Sequence, residues 1–316
     1  MDEKHDFQSF IKQKEPQDMI PPFPNFKPVA LEDKEAIDAY LRLHPPLCSE
    51  FTFTNLFAWA PSYGFQISGF GDGFLILRNT DKEQSFLQPL VHRQAREAVL
   101  ACLDFLKIRV KRPVIERVGE DFIEHALSDR AGLDIREDRD NFDYVYDIQE
   151  LIALKGNKFH DKRNHLNNFI KRFRYNYIPI TSSLIIQCME FAHEWCNDRE
   201  CEKDDGLIKE ECATYRMLRY FDELGVKGGA IEMEGRICAL TMGERLNPDT
   251  LVIHIEKAKA GIQGLYQAIN WEFLRHEAWD LKFVNREQDL GIPGLRRAKR
   301  SYNPVRMIKK YKIFAR

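Results

Sequence analysis

Strand-like and helix-like segments alternate along most of the chain, and this alternation limits the folds that it can adopt. Short runs rich in β-branched residues, such as 114–118 and 250–255, stand between segments with apolar residues at helical spacing, such as 93–107 and 262–277. The order strand, helix, antiparallel strands, helix, strand can be written for each half of the chain. This pattern predicts a mixed α/β or α+β protein.

The chain divides into an arm and two expected domains. Its 316 residues are enough for two domains of ordinary size. Residues 1–26 are rich in proline and are expected to form an N-terminal arm. We expect the first domain to span 27–140 and the second to span 141–316. A last strand over 307–314 is expected to help close the sheet of the second domain.

Composition excludes several classes of protein. A net charge of −2 argues against a nucleic-acid binder that is basic all over, although 282–316 holds eleven Lys and Arg against two acids. Seven cysteines without a Cys-x-x-Cys spacing predict free thiols in a reduced, cytoplasmic protein. No run approaches the ~20 apolar residues of a membrane span, so no transmembrane segment is expected.

A two-glycine turn at 256–264 is the first candidate site. It is expected to lie where a strand ends and a helix begins, and the free N–H groups of a first helical turn can hold an anion. The alternative is a plain turn with solvated lysines, because such turns are common. The residues predicted to bind a phosphate group are Lys257, Lys259, Gly261, Gln263 and Gly264.

The segment 285–304 is the second candidate, because it places acids, bases and a Gly-Ile-Pro-Gly turn between two expected strands. Acids at alternate positions can accept a proton, and the bases that follow can hold a phosphate. The alternative is an ion-pair network that ties the last helix to the sheet. The catalytic candidates are Arg286, Glu287 and Asp289, and the binding candidates are Asn285, Arg297, Lys299 and Tyr302.

A basic helix at 159–175 is the third candidate. Its apolar residues form one stripe, so a basic and asparagine-rich side remains for a polyanion such as tRNA. The alternative is a solvated charged face. The residues predicted to contact the polyanion are Lys158, Lys162, Arg163 and Asn164.

Together these segments resemble a known bacterial family. Its largely uncharacterised members are related to the C-terminal catalytic domain of phosphatidylglycerol lysyltransferase, and are similar in fold to tandem GNAT domains and to Fem-type peptidyltransferases. The matching motifs are KGNKFHDKRNHLN from Lys155, GIQGLYQAIN from Gly261, NREQDLG from Asn285 and GLRRAKRSYNP from Gly294. Over most of 27–316, the resemblance implies an α+β fold of two tandem GNAT-like (acyl-CoA N-acyltransferase-like) domains, each a mostly antiparallel sheet flanked by helices.

Two departures from the family are visible. None of this chain's residues is expected to form the long membrane portion of the full lipid-modifying enzymes. Its Gly261-Ile-Gln-Gly264 turn also fits poorly to the phosphate loop of acetyl-CoA-dependent GNAT domains. An aminoacyl-tRNA donor therefore stays open beside acyl-CoA.

The resemblance implies an acyl- or aminoacyltransferase, and the spacing of the histidines and cysteines predicts no metal site. The donor would be aminoacyl-tRNA or acyl-CoA, and the acceptor an amine or hydroxyl group on a small molecule, lipid or peptide. Arg286 or backbone N–H groups would stabilise the oxyanion, and Glu287 or Asp289 would accept the proton. A non-catalytic tRNA- or nucleotide-binding protein, and a partner-binding protein with a degenerate site, are the alternatives.

Overall fold

The computed structural model describes residues 20–127, 130–278 and 280–316, and these residues form two mixed sheets flanked by helices. Each sheet has seven strands, and antiparallel pairs dominate both. The predicted mixed α+β architecture is confirmed. Of the arm predicted over 1–26, residues 1–19 lie outside the described residues. In the described part of the arm, the ring of Phe23 packs against that of Phe105, with 5.6 Å between the ring centres.

The first sheet has the strand order β1-β2-β3-β4-β5-β14-β6. Its strands are β1 Lys27–Pro28, β2 Phe65–Phe70, β3 Gly73–Asn79, β4 Gln84–Leu87, β5 Val114–Gly119, β6 Leu133–Glu137 and β14 Lys310–Ala315. The accompanying helices are α1 Lys34–Leu43, α2 Phe53–Tyr63, α3 Ala95–Lys107 and α4 Glu120–Ala126. Apolar side chains of α3 and α4 cover one face of the sheet, and those of α1 and α2 pack on the other.

The second sheet has the order β13-β7-β12-β11-β10-β9-β8. Its strands are β7 Asp143–Asp147, β8 Asn176–Pro179, β9 Lys227–Met233, β10 Arg236–Asn247, β11 Thr250–Ala258, β12 Phe283–Asn285 and β13 Arg306–Ile308. The accompanying helices are α5 Ile148–Ala153, α6 His160–Arg172, α7 Ile185–Asp198, α8 Asp205–Arg219, α9 Phe221–Leu224, α10 Leu265–Glu277 and α11 Pro293–Arg300. Alternate residues of β9 point to opposite faces, so Ala230 packs with α7 and α8 while Ile231 packs with α6 and α10.

One core joins the two halves of the chain. Leu56 and Phe57 of α2 belong to the same buried cluster as Met217 and Leu218 of α8. The helix α2 itself occupies a segment whose aromatic residues fit either a helix or a buried strand. Residues at both ends favour the helix. The Thr52 hydroxyl accepts a hydrogen bond from the backbone N–H of Asn55 at 3.0 Å, and Gly64 in the left-handed conformation ends the last turn.

The expected single strand over 307–314 is wrong. It is broken into β13, which pairs with β7 of the second sheet, and β14, which enters the first sheet between β5 and β6. Lys310 begins β14 and is fully buried, with its ammonium 2.6 Å from Asp143 and 2.5 Å from Glu50. The chain therefore crosses between the sheets at a buried ion pair. The sheets also change between β6 and β7, on either side of residue 140, while the domain boundaries themselves stay a prediction.

The prediction that every thiol is free is wrong for one pair. Cys196 at the end of α7 forms a disulfide with Cys201, five residues further on. Within the three described ranges, no helix combines the length and the apolar content needed to cross a membrane.

Candidate active site

A cavity of about 550 Å³ lies between the two halves of the chain. Its wall includes charged side chains of both signs and several aromatic rings, among them Trp59, Trp195 and Tyr302. The acidic members are Glu50, Glu116, Glu210, Glu256 and Glu287, and the basic members are Arg78, Arg117, Lys162, Arg286 and Lys299. Polar groups of both signs in a concave, partly aromatic site suit a ligand that itself carries charged groups.

The turn after β12 brings Arg286 and Glu287 into the wall. Asn285 is fully buried, and its side-chain oxygen accepts the backbone N–H of Glu287 at 2.8 Å while its amide nitrogen donates to Asp143 at 3.0 Å. Glu287 has a φ of 56°, in the left-handed region that costs a residue with a side chain about 1–2 kcal/mol. Such strain is commonly found at functional sites.

The guanidinium of Arg286 is held from one side. Its Nη2 donates to Glu256 at 2.6 Å, and the other oxygen of Glu256 accepts from Asn270 at 2.9 Å. Its carbon lies 4.7 Å from the centre of the Tyr302 ring. Burial alone would lower the pKa of Arg286, but Glu256 and the two neighbouring tyrosines, Tyr302 and Tyr146, raise it. Arg286 is thus a fixed positive charge in the wall.

His254 of β11 touches two carboxylates. Its Nδ1 lies 3.0 Å from Glu287, and its Nε2 lies 2.9 Å from Glu244. The Asn55 amide of α2 donates to the same Glu287 oxygen, Oε1, at 3.3 Å. Burial alone would lower the pKa of His254, but the hydrogen bonds to Glu244 and Glu287 raise it to about 9.

Two lysines approach the same turn. Lys299 of α11 donates to the backbone carbonyl of Arg286 and, at 3.3 Å, to that of Glu287. Burial and the charge of Arg286 lower the pKa of Lys299 to about 8. Lys162 of α6 lies 4.2 Å from the centre of the Tyr302 ring, and burial lowers its pKa. Burial also raises the pKa of Tyr302 to about 12.

The first half of the chain supplies the opposite wall. The pairing of β5 with β14 is irregular where Arg117 lies, and Arg117 has a φ of 58°. A bulge of this kind can redirect a side chain towards a site. The Nε of Arg117 is 3.5 Å from Glu50, whose other oxygen binds Lys310. Its buried Nη1 has no hydrogen-bond partner among the residues described, so this wall keeps an unused donor.

Asp289 lies outside the wall of the cavity. It is fully buried, and its carboxylate accepts from Tyr144 at 2.6 Å and from Arg296 at 2.9 and 2.7 Å. Burial alone would raise the pKa of Asp289, but these hydrogen bonds and that of the Gly291 N–H lower it to about 2. A carboxylate so occupied is suited to anchoring the turn to β7 and α11. The role of base that the sequence also suggested for it stays a prediction without support from this geometry.

Residues 257–264 of the glycine turn do not line the cavity, although Glu256 before them and Tyr266 and Gln267 of the following helix do. Gly264 has a φ of 89°, and a Cβ there would lie 2.4 Å from the carbonyl oxygen of His165. Its glycine is therefore required for the close approach of α6 to α10. Gln263 contacts the His165 ring at 3.0 Å, and Gly261 has open space around it.

The two lysines of this turn differ. Lys257 is fully buried, 2.5 Å from Glu210 and 3.6 Å from the centre of the Trp195 ring, and burial lowers its pKa. Its ammonium is already paired with a carboxylate, whereas Lys259 is exposed. Phosphate binding at this turn stays a prediction.

The other predicted residues lie on the surface or hold local structure. Arg163 of α6 donates to the carbonyls of Leu154 and Gly156 at the end of α5. Lys158 is exposed and pairs with Glu150 at 2.7 Å. Asn164 and Arg297 are exposed as well. The cavity thus brings together five predicted residues: Arg286, Glu287, Lys299, Tyr302 and Lys162.

Several polar residues of the wall were not predicted. Glu50, Asn55, Arg78, Glu116 and Arg117 come from the first half, where the sequence shows no cluster of charges like that of 285–304. His254 and Glu256 alternate with apolar residues in a buried strand, Thr250–Ala258. A histidine and an acid inside such a strand are the signal that could have marked them.

Two mixed sheets that share a cavity define this chain as a two-unit α+β protein with the site between its units. The model of the family "Phosphatidylglycerol lysyltransferase, C-terminal" matches residues 42–314. The chain belongs to this family, as its sequence motifs indicated.

Similar proteins support the same placement. A conserved protein of unknown function from Bacteroides thetaiotaomicron has 31% sequence identity and a TM-score of 0.85, covering 94% of this chain and all (100%) of that one. The L-PGS structure from Bacillus licheniformis has 13% identity and a TM-score of 0.64, covering 90% of this chain and 92% of that one, and shows the fold alone. An uncharacterized protein of Mycoplasmoides gallisepticum is 29% identical over 182 residues, 57% of each chain. The fold of two mixed sheets flanked by helices is shared with the two solved structures, and its likeness to tandem GNAT domains stays what the sequence resemblance implies.

Proposed function

We propose that this protein is an aminoacyltransferase whose reaction takes place in the cavity between its halves. The observation that carries the proposal is the composition of the wall, in which five carboxylates stand beside five lysine and arginine side chains around Arg286 and Glu287. An aminoacyl ester has an ammonium group beside its carbonyl, so it needs acidic and basic partners together. A plain acyl group has no ammonium and would make no use of the acidic side of the wall.

The donor is an aminoacyl ester such as aminoacyl-tRNA. Its sugar and phosphates extend outward past Lys162 to Lys158, which is exposed in the turn before α6. The acceptor is an amine or hydroxyl group of a small molecule, lipid or peptide. The names of the similar proteins include the words phosphatidylglycerol lysyltransferase and lysylphosphatidylglycerol synthetase, which supports an aminoacyl donor and keeps a lipid among the acceptors.

The chemistry assigns one role to each of two residues. The acceptor nitrogen or oxygen attacks the ester carbonyl, and Arg286 stabilises the negative charge that develops on the carbonyl oxygen. Glu287 uses Oε1 for His254 and Asn55, so Oε2 is the oxygen that accepts the proton of the attacking group. The bond to the sugar then breaks, and the sugar oxygen leaves as a hydroxyl after taking this proton from Glu287.

The test is the discharge of labelled aminoacyl-tRNA. The protein is incubated with total tRNA charged with a mixture of radiolabelled amino acids, and with lipid, peptide and amine acceptors in separate reactions. Transfer of label to one acceptor class is expected. Glu287→Gln and Arg286→Gln are each expected to slow it by about 10²–10³-fold. The exposed Glu223→Gln is the matched control and keeps full activity.

Two results would overturn the proposal. One is the absence of transfer from any aminoacyl-tRNA at rates above a protein-free blank. The other is full activity of both Glu287→Gln and Arg286→Gln. Release of free thiol from acyl-CoA in a parallel reaction, without discharge of aminoacyl-tRNA, would show a different donor.

A further inference from the structure

His254 has no part in the reaction described above, although its surroundings are unusual for a core residue. Its side chain is fully buried, and both ring nitrogens lie within hydrogen-bond distance of a carboxylate. Glu244 approaches from β10, and Glu287 approaches from the turn after β12. His254 therefore stands between an acid at the cavity and an acid behind it.

Counting protons shows what this arrangement requires. An ionised carboxylate only accepts hydrogen bonds, and a neutral imidazole has one donor nitrogen and one acceptor nitrogen. Two carboxylates on one neutral ring would leave one contact without a proton between its two atoms. The Glu244–His254–Glu287 chain must therefore hold two protons. The raised pKa of His254, about 9, places both of them on the imidazole ring near neutral pH.

The backbone is shaped to present this ring. Met242 pairs with Ile255 and Gly243 pairs with Ile253, so His254 is the extra residue of a β-bulge. A Cβ at Gly243 would lie 2.3 Å from the carbonyl oxygen of Val252, so only glycine fits opposite the bulge. Bulges re-aim side chains at sites. The sequence Gly243-Glu244 thus permits the bulge and supplies the second acid.

Glu244 lies outside the reaction cavity. It lines a second cavity of about 270 Å³ together with Asp38, Arg42 and Arg245. Its contact with His254 is thus separate from any contact that a substrate makes with Glu287. This separation allows the far side of the chain to be altered without removing a group that touches the substrate.

We propose that His254 is a positioning residue. Glu244 orients the His254 ring through Nε2, and the ring in turn binds Oε1 of Glu287, so that Oε2 of Glu287 is turned to the substrate. The catalytic consequence rests on the proposed function. An imidazolium beside Glu287 donates a hydrogen bond to Oε1 and holds the carboxylate in one orientation, as an oriented base requires. With both protons on the ring, the histidine is not a proton relay, because neither nitrogen can accept a proton from Glu287.

The experiment is a titration of the protein labelled with ¹⁵N-histidine, followed by NMR from pH 5 to pH 10. The resonances of His254 are assigned by their loss in His254→Gln, and the exposed His125→Gln serves as the control. We expect both His254 nitrogens to carry a proton at pH 7.5 and to titrate near pH 9. In Glu244→Gln, the midpoint is expected to fall by at least about one pH unit.

Two NMR results would overturn the proposal: titration of wild-type His254 near its usual pKa with one N–H at pH 7.5, or an unchanged midpoint in Glu244→Gln. The wild-type titration does not use Glu244→Gln, so it decides the matter even where that variant does not fold. In the transfer assay, Glu244→Gln is expected to lower kcat at least about tenfold with little change in KM. An unchanged kcat would also overturn the positioning role. Failure of aminoacyl transfer itself would leave the NMR result intact, so the two failures are distinguishable.

Discussion

Replacement of Lys310 by methionine is expected to destabilise the protein strongly. The ammonium of Lys310 is fully buried and binds Glu50 at 2.5 Å and Asp143 at 2.6 Å. Burial alone would lower the pKa of Lys310, but Asp143 and Glu50 raise it. Lys310→Met leaves two buried carboxylates without the cation between them. Breaking a buried ion pair in this way costs about 3–5 kcal/mol.

The structure places the cost near the lower end of that range. Asp143 keeps hydrogen bonds from the Ser49 backbone at 2.9 Å, the Ser49 hydroxyl at 3.0 Å and Asn285 at 3.0 Å. Glu50 keeps its ion pair with Arg117, whose Nε lies 3.5 Å from a carboxylate oxygen. We therefore expect a loss of about 3 kcal/mol in the free energy of unfolding at pH 8. The loss should be smaller at pH 5, because burial already raises the pKa of Glu50 and protonation removes its unpaired charge.

Urea unfolding followed by circular dichroism at pH 8 and pH 5 measures both effects. Lys309→Met is the matched control, because the neighbouring Lys309 is exposed and pairs with Glu120 on the surface. Its unfolding midpoint should stay at the wild-type value. The double variant Lys310→Met with Glu50→Gln should recover part of the loss. Equal midpoints for Lys310→Met and Lys309→Met, or a larger deficit at pH 5 than at pH 8, would refute the reasoning.

Three further predictions concern pH and the glycine turn. The pKa of Asp289 is lowered to about 2 from 3.8, so the carboxylate stabilises the fold above pH 4 and this stabilisation is lost as the pH falls through 2. In acid unfolding curves, the difference in free energy of unfolding between wild type and Asp289→Asn should therefore disappear between pH 4 and pH 2. The pKa of His254 is raised from 6.5 to about 9, so its stabilisation is complete below pH 6.5 and is lost above pH 9. This amounts to roughly 3 kcal/mol relative to His254→Gln, and equal pH profiles of the two proteins would contradict it. Gly264→Ala should lower the melting temperature more than Gly261→Ala. Both glycines have positive φ, but only Gly264 lies against the backbone of another helix, α6. Equal melting temperatures of the two variants would show that α6 moves aside to admit the Cβ.

Local patterns in the sequence were enough to predict the mixed architecture and one wall of the cavity. Arg286, Glu287 and Lys299 stand within fifteen residues of one another, so a single turn and a short helix bring them together. Glycine and proline in that segment mark the turn. The family resemblance pointed to the same residues, and the chain does belong to that family.

What could not be predicted depends on contacts between distant parts of the chain. Arg117 and Glu50 line the same cavity as Glu287 only because the irregular strands of the two sheets, β5 and β11, both border it. The bulge at His254 changes which face of the sheet its side chain takes, and strict alternation along β11 gives no sign of it. Asp289 illustrates the opposite case. Its spacing from Glu287 suggested a second acid at the site, but Arg296 and Tyr144 turn its carboxylate into an anchor.

The path of β14 has a consequence for the order of folding. This strand is synthesised after every strand of the second sheet, yet it occupies the gap between β5 and β6 in the first. A nascent chain that has emerged only as far as β6 has two unpaired strand edges where β14 belongs, and such edges favour association with other chains. The first sheet therefore cannot be completed during synthesis before the strands of the second sheet have been made. Both units are therefore expected to assemble together, after translation has passed residue 315.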